Sequence, residues 1–102
     1  MAEYRAGPRK RAPTHPGEAV ADILETVRVS GNQAARAIRV SPMALNNVIT
    51  GKSSVTPEMA LRLGKLFGNG AELWLNMQRD YDLWRAGQEM KTVLAEIKPI
   101  AA

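Results

Sequence analysis

The sequence contains no cysteine, one histidine, one phenylalanine, two tyrosines and two tryptophans in 102 residues. Without cysteine there is no disulfide framework, no thiolate zinc site and no cysteine nucleophile. A single His15 excludes a multi-histidine metal site and a pair of catalytic histidines. No run of about 18 apolar residues is present, so no transmembrane helix is expected. The N-terminal stretch has charge but no apolar segment, so a secretory signal is not expected either, and the expected location is the cytoplasm. Strand patterns are also missing. The best candidate, Val27–Val29, is three residues long.

What is present is charge in blocks. The net charge is only +4, but it is unevenly spread. Residues 1–15 hold Arg5, Arg9, Lys10 and Arg11 against Glu3. Residues 16–27 hold Glu18, Asp22 and Glu25 and no base. Residues 28–65 hold Arg28, Arg36, Arg39, Lys52, Arg62 and Lys65 against Glu58 alone. A basic region inside a folded domain points to a polyanionic partner. Three divisions follow: a flexible basic tail over 1–15, a DNA-binding domain over 16–86, and a C-terminal helical extension over 87–102.

Helix signals account for everything after Pro16. Pro16 and Glu18 suit a first helical turn, with Val20, Ile23, Leu24 and Val27 as the apolar stripe to about Val27. Ser30 with Gln33 spells a capping box for a second helix reaching Ile38, with Ala34, Ala35 and Ile38 inward. Ser41-Pro42 opens a third helix, with Leu45, Val48 and Ile49 inward, closed by a left-handed Gly51. Thr56-Pro57 opens a fourth, whose stripe is Met59, Ala60, Leu63, Leu66 and Phe67, and Gly68 stops it. A last helix runs from Ala71 towards Lys98 before Pro99, with Gly87 as its expected weak point. The first four helices are expected to supply one small core.

Two short capped helices around the break at Arg39–Ser41 suggest a helix-turn-helix. The outward face of the third helix carries Ser41, Met43, Asn46 and Asn47. Asparagine presents a donor and an acceptor to the adenine edge, serine serves base or phosphate, and methionine packs on a thymine methyl. Arg39 and Lys52 flank this uncharged face, a division between base reading and phosphate holding. Ordinary exposed asparagines are the plain alternative. His15, beside Pro16, reads as a cap or packing residue. Asp80 and Asp82, on either side of Tyr81, read as a solvated face. Gly68-x-Gly70 lacks a third glycine, and no catalytic constellation, metal site or cofactor site emerges.

The strings HPGE (His15 to Glu18), VSGNQAARAIRVSPMALNNVITGK (Val29 to Lys52), PEMALRLGKLFG (Pro57 to Gly68) and ELWLNMQRDYDLW (Glu72 to Trp84) together resemble the HigA-type antitoxins. These form part of the phage-repressor-like (XRE/Cro) helix-turn-helix class. The resemblance covers about residues 15–86. It implies an all-α, five-helix phage-repressor-like domain with an extended C-terminal helix. It also implies a homodimer in a toxin–antitoxin operon. Such an antitoxin binds double-stranded operator DNA, represses its own operon, and neutralises a RelE/HigB-like mRNA interferase by binding it. It carries no enzymatic activity. The base-contacting places of the family fall on Ser41, Met43, Asn46 and Asn47. Its phosphate-contacting places fall on Ser30, Asn32, Gln33 and Lys52, and Arg39 adds a charge beside them. Arg39 replaces the glycine usual in the turn, which puts that backbone position in question. Gly70-Ala71 replaces the usual Ser/Thr-Pro before the last helix, which weakens its cap.

Two further surfaces follow from surplus and charge. The last helix carries Leu73, Trp74, Met77, Tyr81 and Trp84, an apolar set expected to contribute to a dimer contact, which would place half-sites about 34 Å apart. The acidic set Glu18, Asp22 and Glu25 suits a basic RNA-cutting toxin. A stand-alone phage-type repressor without a toxin is the competing reading, and the neighbouring gene discriminates between them.

Overall fold

A computed structural model describes residues 12–100. The basic cluster of the expected tail, Arg5 to Arg11, lies outside them. Among the described residues there are six helices and no strand: α1 (Pro16–Val27), α2 (Gly31–Ile38), α3 (Pro42–Ile49), α4 (Pro57–Phe67), α5 (Ala71–Glu89) and α6 (Lys91–Glu96).

The helix starts follow the local chemistry of the sequence. Ser30 Oγ accepts from the Gln33 N–H at 3.1 Å, and Gln33 Oε1 accepts from the Ser30 N–H at 2.9 Å, completing the capping box. Ser41 and Thr56 cap α3 and α4 by accepting from the N–H groups of Ala44 (3.0 Å) and Met59 (3.2 Å). His15 caps α1 through its ring: Nδ1 accepts from the Gly17 N–H at 2.9 Å. Gly70 makes no side-chain cap for α5, as its residue type requires.

The core joins Val20 and Leu24 of α1, Ala34, Ala35 and Ile38 of α2, Leu45 and Val48 of α3, Val55 of the following loop, Ala60 and Leu63 of α4, and Trp74 of α5. Small residues at 34, 35 and 60 let the helices approach closely. Gly17 is the tightest point. A Cβ there would lie 2.0 Å from the Val48 carbonyl oxygen, so the first turn of α1 rests on the last turn of α3. Gly64 of α4 meets the backbone of Gly70 in the same way, at 2.4 Å.

Several expectations are corrected. His15 is buried and belongs to the domain, so the tail does not extend to residue 15. Val27, the last residue of α1, is 54% exposed and lines an open groove with Leu24, Leu66 and Phe67. Leu66 likewise sits at the edge of the core. The first four helices do not complete the core: α5 contributes the fully buried Trp74, whose Nε1 donates to Asn69 Oδ1 at 2.9 Å, and the buried Gln78. Gly87 is an internal residue of α5, where its backbone still fits the helical ladder. The interruption falls at Met90 (φ −106°, ψ 17°), giving a sixth helix in place of one continuous one. No residue of α6 is buried.

Candidate nucleic-acid interface

α2 and α3 form the unit expected from their caps, and the turn between them is set by backbone geometry. Arg39 adopts the left-handed conformation (φ 65°, ψ 43°), with its N–H directed to the carbonyls of Ala35 and Arg36. The Val40 N–H bonds to the Ala35 carbonyl at 3.0 Å. This is the closure glycine usually provides. Arginine takes it here at a steric cost of about 1 kcal/mol.

The structure brings the N-terminus of α2 and the outward face of α3 together. One shallow groove of about 300 Å³ is lined by Gly31 and Asn32 of α2 and by Pro42, Met43, Leu45, Asn46 and Ile49 of α3. A second, adjoining at Asn32 and Pro42, is lined also by Arg36 and Val40. Met43 is 72% exposed, and Ser41 and Asn46 are exposed beside it. Asn47 is half-buried, and its carbonyl accepts from the Ser53 N–H at 3.0 Å, which folds the loop after α3 back onto the helix.

In the capping box Ser30 Oγ and Gln33 Oε1 act only as acceptors, so the Ser30 hydroxyl proton and the Gln33 amide N–H groups stay free to donate. Together with the backbone N–H groups of Gly31 and Asn32 and the Asn32 amide, they are what the start of α2 offers to an anion. With the helix dipole they make an anion-favouring end. Ser41 Oγ accepts from Ala44, which leaves its hydroxyl proton free to donate. Lys52 is exposed on the loop behind α3, next to Gly51 at φ 83°.

Sequence reasoning passed over three residues around this face. Arg36 lies one turn along α2 from Asn32 and lines the same surface. Helical spacing from Asn32 could have found it. Arg62 of α4 donates through Nη1 to the carbonyls of Ile38 and Arg39. Gln78 of α5, 5% exposed, accepts from the Val55 N–H at 2.7 Å and donates to Asp82 Oδ1 at 2.9 Å. It anchors the α3–α4 loop, and Asp82, exposed as expected, also serves as its acceptor. Nothing in a local pattern marks a glutamine that reaches 23 residues back.

The remaining candidate residues lie elsewhere. Glu18, Asp22 and Glu25 are exposed and share one stripe of α1, opposite Val20 and Leu24. Trp74 is removed from any surface contact, because it is 0% exposed in the core of its own chain. Tyr81 is half-buried with its ring edge-on to His15 at 4.9 Å. Met77 and Trp84 are half-buried, and Leu73 is exposed. Exposed apolar side chains continue instead along Leu83, Met90, Val93, Leu94 and Ile97.

No protein-family model matches the chain. Virulence-associated protein I of Dichelobacter nodosus is 36% identical over 89 residues, spanning 86% of this chain and 82% of that protein. The addiction module antidote protein of the HigA family from Coxiella burnetii is 35% identical with a TM-score of 0.82, over 87% of this chain and 99% of that one. The Pseudomonas aeruginosa antitoxin HigA, solved with the higBA promoter, is 34% identical with a TM-score of 0.82, over 86% of this chain and 98% of that one. With this similarity running across the helix-turn-helix and the helices that hold it, the chain belongs to the HigA-type antitoxins of the XRE-like helix-turn-helix class.

Proposed function

We propose that this antitoxin binds its operator as a homodimer through α3 and the N-terminus of α2, represses its own operon, and neutralises a cognate toxin by direct contact. The carrying observation is the joint surface on which Met43 and Asn46 stand beside the free N–H end of α2. A neutral polar helix face framed by Arg36, Arg39 and Lys52 has the chemistry of major-groove reading with phosphate clamping at its edges. The Pseudomonas aeruginosa relative solved with the higBA promoter supports operator binding as the activity. Asn46 and Asn47 read bases, Met43 packs on a methyl or sugar, and Asn32, Arg36 and Lys52 hold phosphates.

Symmetry comes from a second copy of the chain. Leu73 and Leu83 on α5, with Met90, Val93, Leu94 and Ile97 beyond them, are exposed apolar side chains that a second copy would cover. The acidic stripe of α1 faces the toxin, where Glu18, Asp22 and Glu25 complement a basic RNA-binding surface. None of these steps requires catalysis by this chain.

The test is a footprint and a binding titration on the promoter fragment upstream of its own gene. Asn46→Ala with Asn47→Ala is expected to lower specific operator affinity at least tenfold, since each lost base contact is worth about 1–3 kcal/mol. Unchanged specific affinity in that variant overturns the base-reading assignment. Co-purification with the product of the neighbouring gene tests the toxin. Charge reversal at Asp22 and Glu25 that left this association intact would sink the α1 surface.

A further inference from the structure

The helix-turn-helix is held from outside by a residue of α4. Ile38 ends α2, and its carbonyl would find its helical partner at position 42 if the helix ran on. Residue 42 is a proline and has no N–H to give. The left-handed turn at Arg39 closes the carbonyls of Ala35 and Arg36 through the N–H groups of Arg39 and Val40. The carbonyls of Ile38 and Arg39, at the very end of the turn, are reached by neither of those N–H groups and take another donor. Arg62 supplies it: Nη1 donates to Ile38 O and, at 3.4 Å, to Arg39 O. Its side chain is half-buried and lines a groove with Ala37, Ile38 and Leu66, between the like charges of Arg39 and Lys65. Two cations alongside would drive a free guanidinium outwards. The carbonyl pair at a helix C-terminus is what retains it there.

We infer that Arg62 is a positioning residue for DNA recognition. It clamps the α2–α3 turn in its left-handed form and so fixes the direction in which α3 presents Met43 and Asn46. It does not touch phosphate. The inference rests on the operator-binding reading above, and one of its two tests needs no DNA.

The DNA-free test follows amide hydrogen exchange in the full chain and in Arg62→Met and Arg62→Lys. In Arg62→Met the amides of Arg39 and Val40 are expected to exchange about tenfold faster relative to the core amide of Leu63. Arg62→Lys, which keeps the charge and can reach one carbonyl, is expected to fall between Arg62→Met and the wild type. Exchange at Arg39 and Val40 that rises only in step with Leu63 overturns the clamp, because the loss is then general stability. The second test measures operator affinity against salt. The clamp predicts an affinity loss of about tenfold for Arg62→Met on the specific operator. Binding to unrelated DNA and the slope of log K against log salt stay at the wild-type values. A slope shallower by about 0.9 with equal losses on both DNAs makes Arg62 a phosphate ligand and overturns the inference. If the wild type fails to bind its operator, the functional reading falls, while the exchange comparison still decides whether Arg62 holds the turn.

Discussion

His15 shows how much a single residue carries here. To accept from the Gly17 N–H its Nδ1 must be unprotonated, which leaves the ring proton on Nε2. Burial pushes its pKa below the ordinary value of 6.5, while the charges of Asp82 and Glu18 pull the other way. The folded state thus favours the neutral ring, and the unfolded chain binds the extra proton. The stabilisation is fully present above about pH 6.5 and is lost as pH falls through the lowered folded value. Urea denaturation at a series of pH values should show the midpoint falling below pH 6.5. His15→Asn keeps a capping acceptor and does not titrate, so the same series should lose that component. An identical pH profile for the two proteins would refute the assignment. The capping role was readable from His15 beside Pro16. The edge-on contact with Tyr81 was not, because the two rings stand 66 positions apart in sequence and meet only once the helices pack.

At the level of helices, the glycines separate into those that permit contact and those that merely occur. Gly17 has the Val48 and Ile49 carbonyl oxygens 2.0 and 2.7 Å from where a Cβ would stand. Backbone cannot rotate out of the way as a side chain does. Gly17→Ala should therefore cost about 1–3 kcal/mol in chemical denaturation. Gly87 has nothing within 4 Å and sits inside α5. Gly87→Ala should stabilise by about 0.5–1 kcal/mol, by removing backbone freedom from the unfolded chain. If the two alanine variants changed stability in the same direction, the account of α1 seated on α3 would be wrong. Helix boundaries in α1 to α4 were legible because cap residues and prolines act within one turn. The break at Met90 was not, since no residue there forbids a helix. The left-handed Arg28 was equally invisible, because arginine carries no local preference for that conformation; Arg39 was flagged only because it stands where the family has glycine, and its residue type did not say which way the backbone would go.

For the whole molecule, the charge blocks become surfaces. The basic middle segment spreads over the α2–α3 unit and its flanks, while the acidic stripe of α1 turns away from the core on its own side. Lys52 stands exposed behind α3 and pairs with no carboxylate among the described residues. Lys52→Ala should lower the salt slope of operator binding by about 0.9 and weaken specific and unrelated DNA alike. A change in sequence preference in that variant would contradict a pure phosphate role. No helix among the described residues is long and apolar enough to cross a membrane. The sequence by itself determined the all-helical class, the four capped starts and the polar face of α3, because caps, prolines and 3.6-residue periodicity act over a few neighbouring residues. Tertiary structure alone decided that Trp74 and Gln78 belong to the core, that Gly17 is a contact, and that Arg62 holds the turn. Each of those depends on atoms brought together from distant parts of the chain, and burial and hydrogen bonding are settled only when the helices pack.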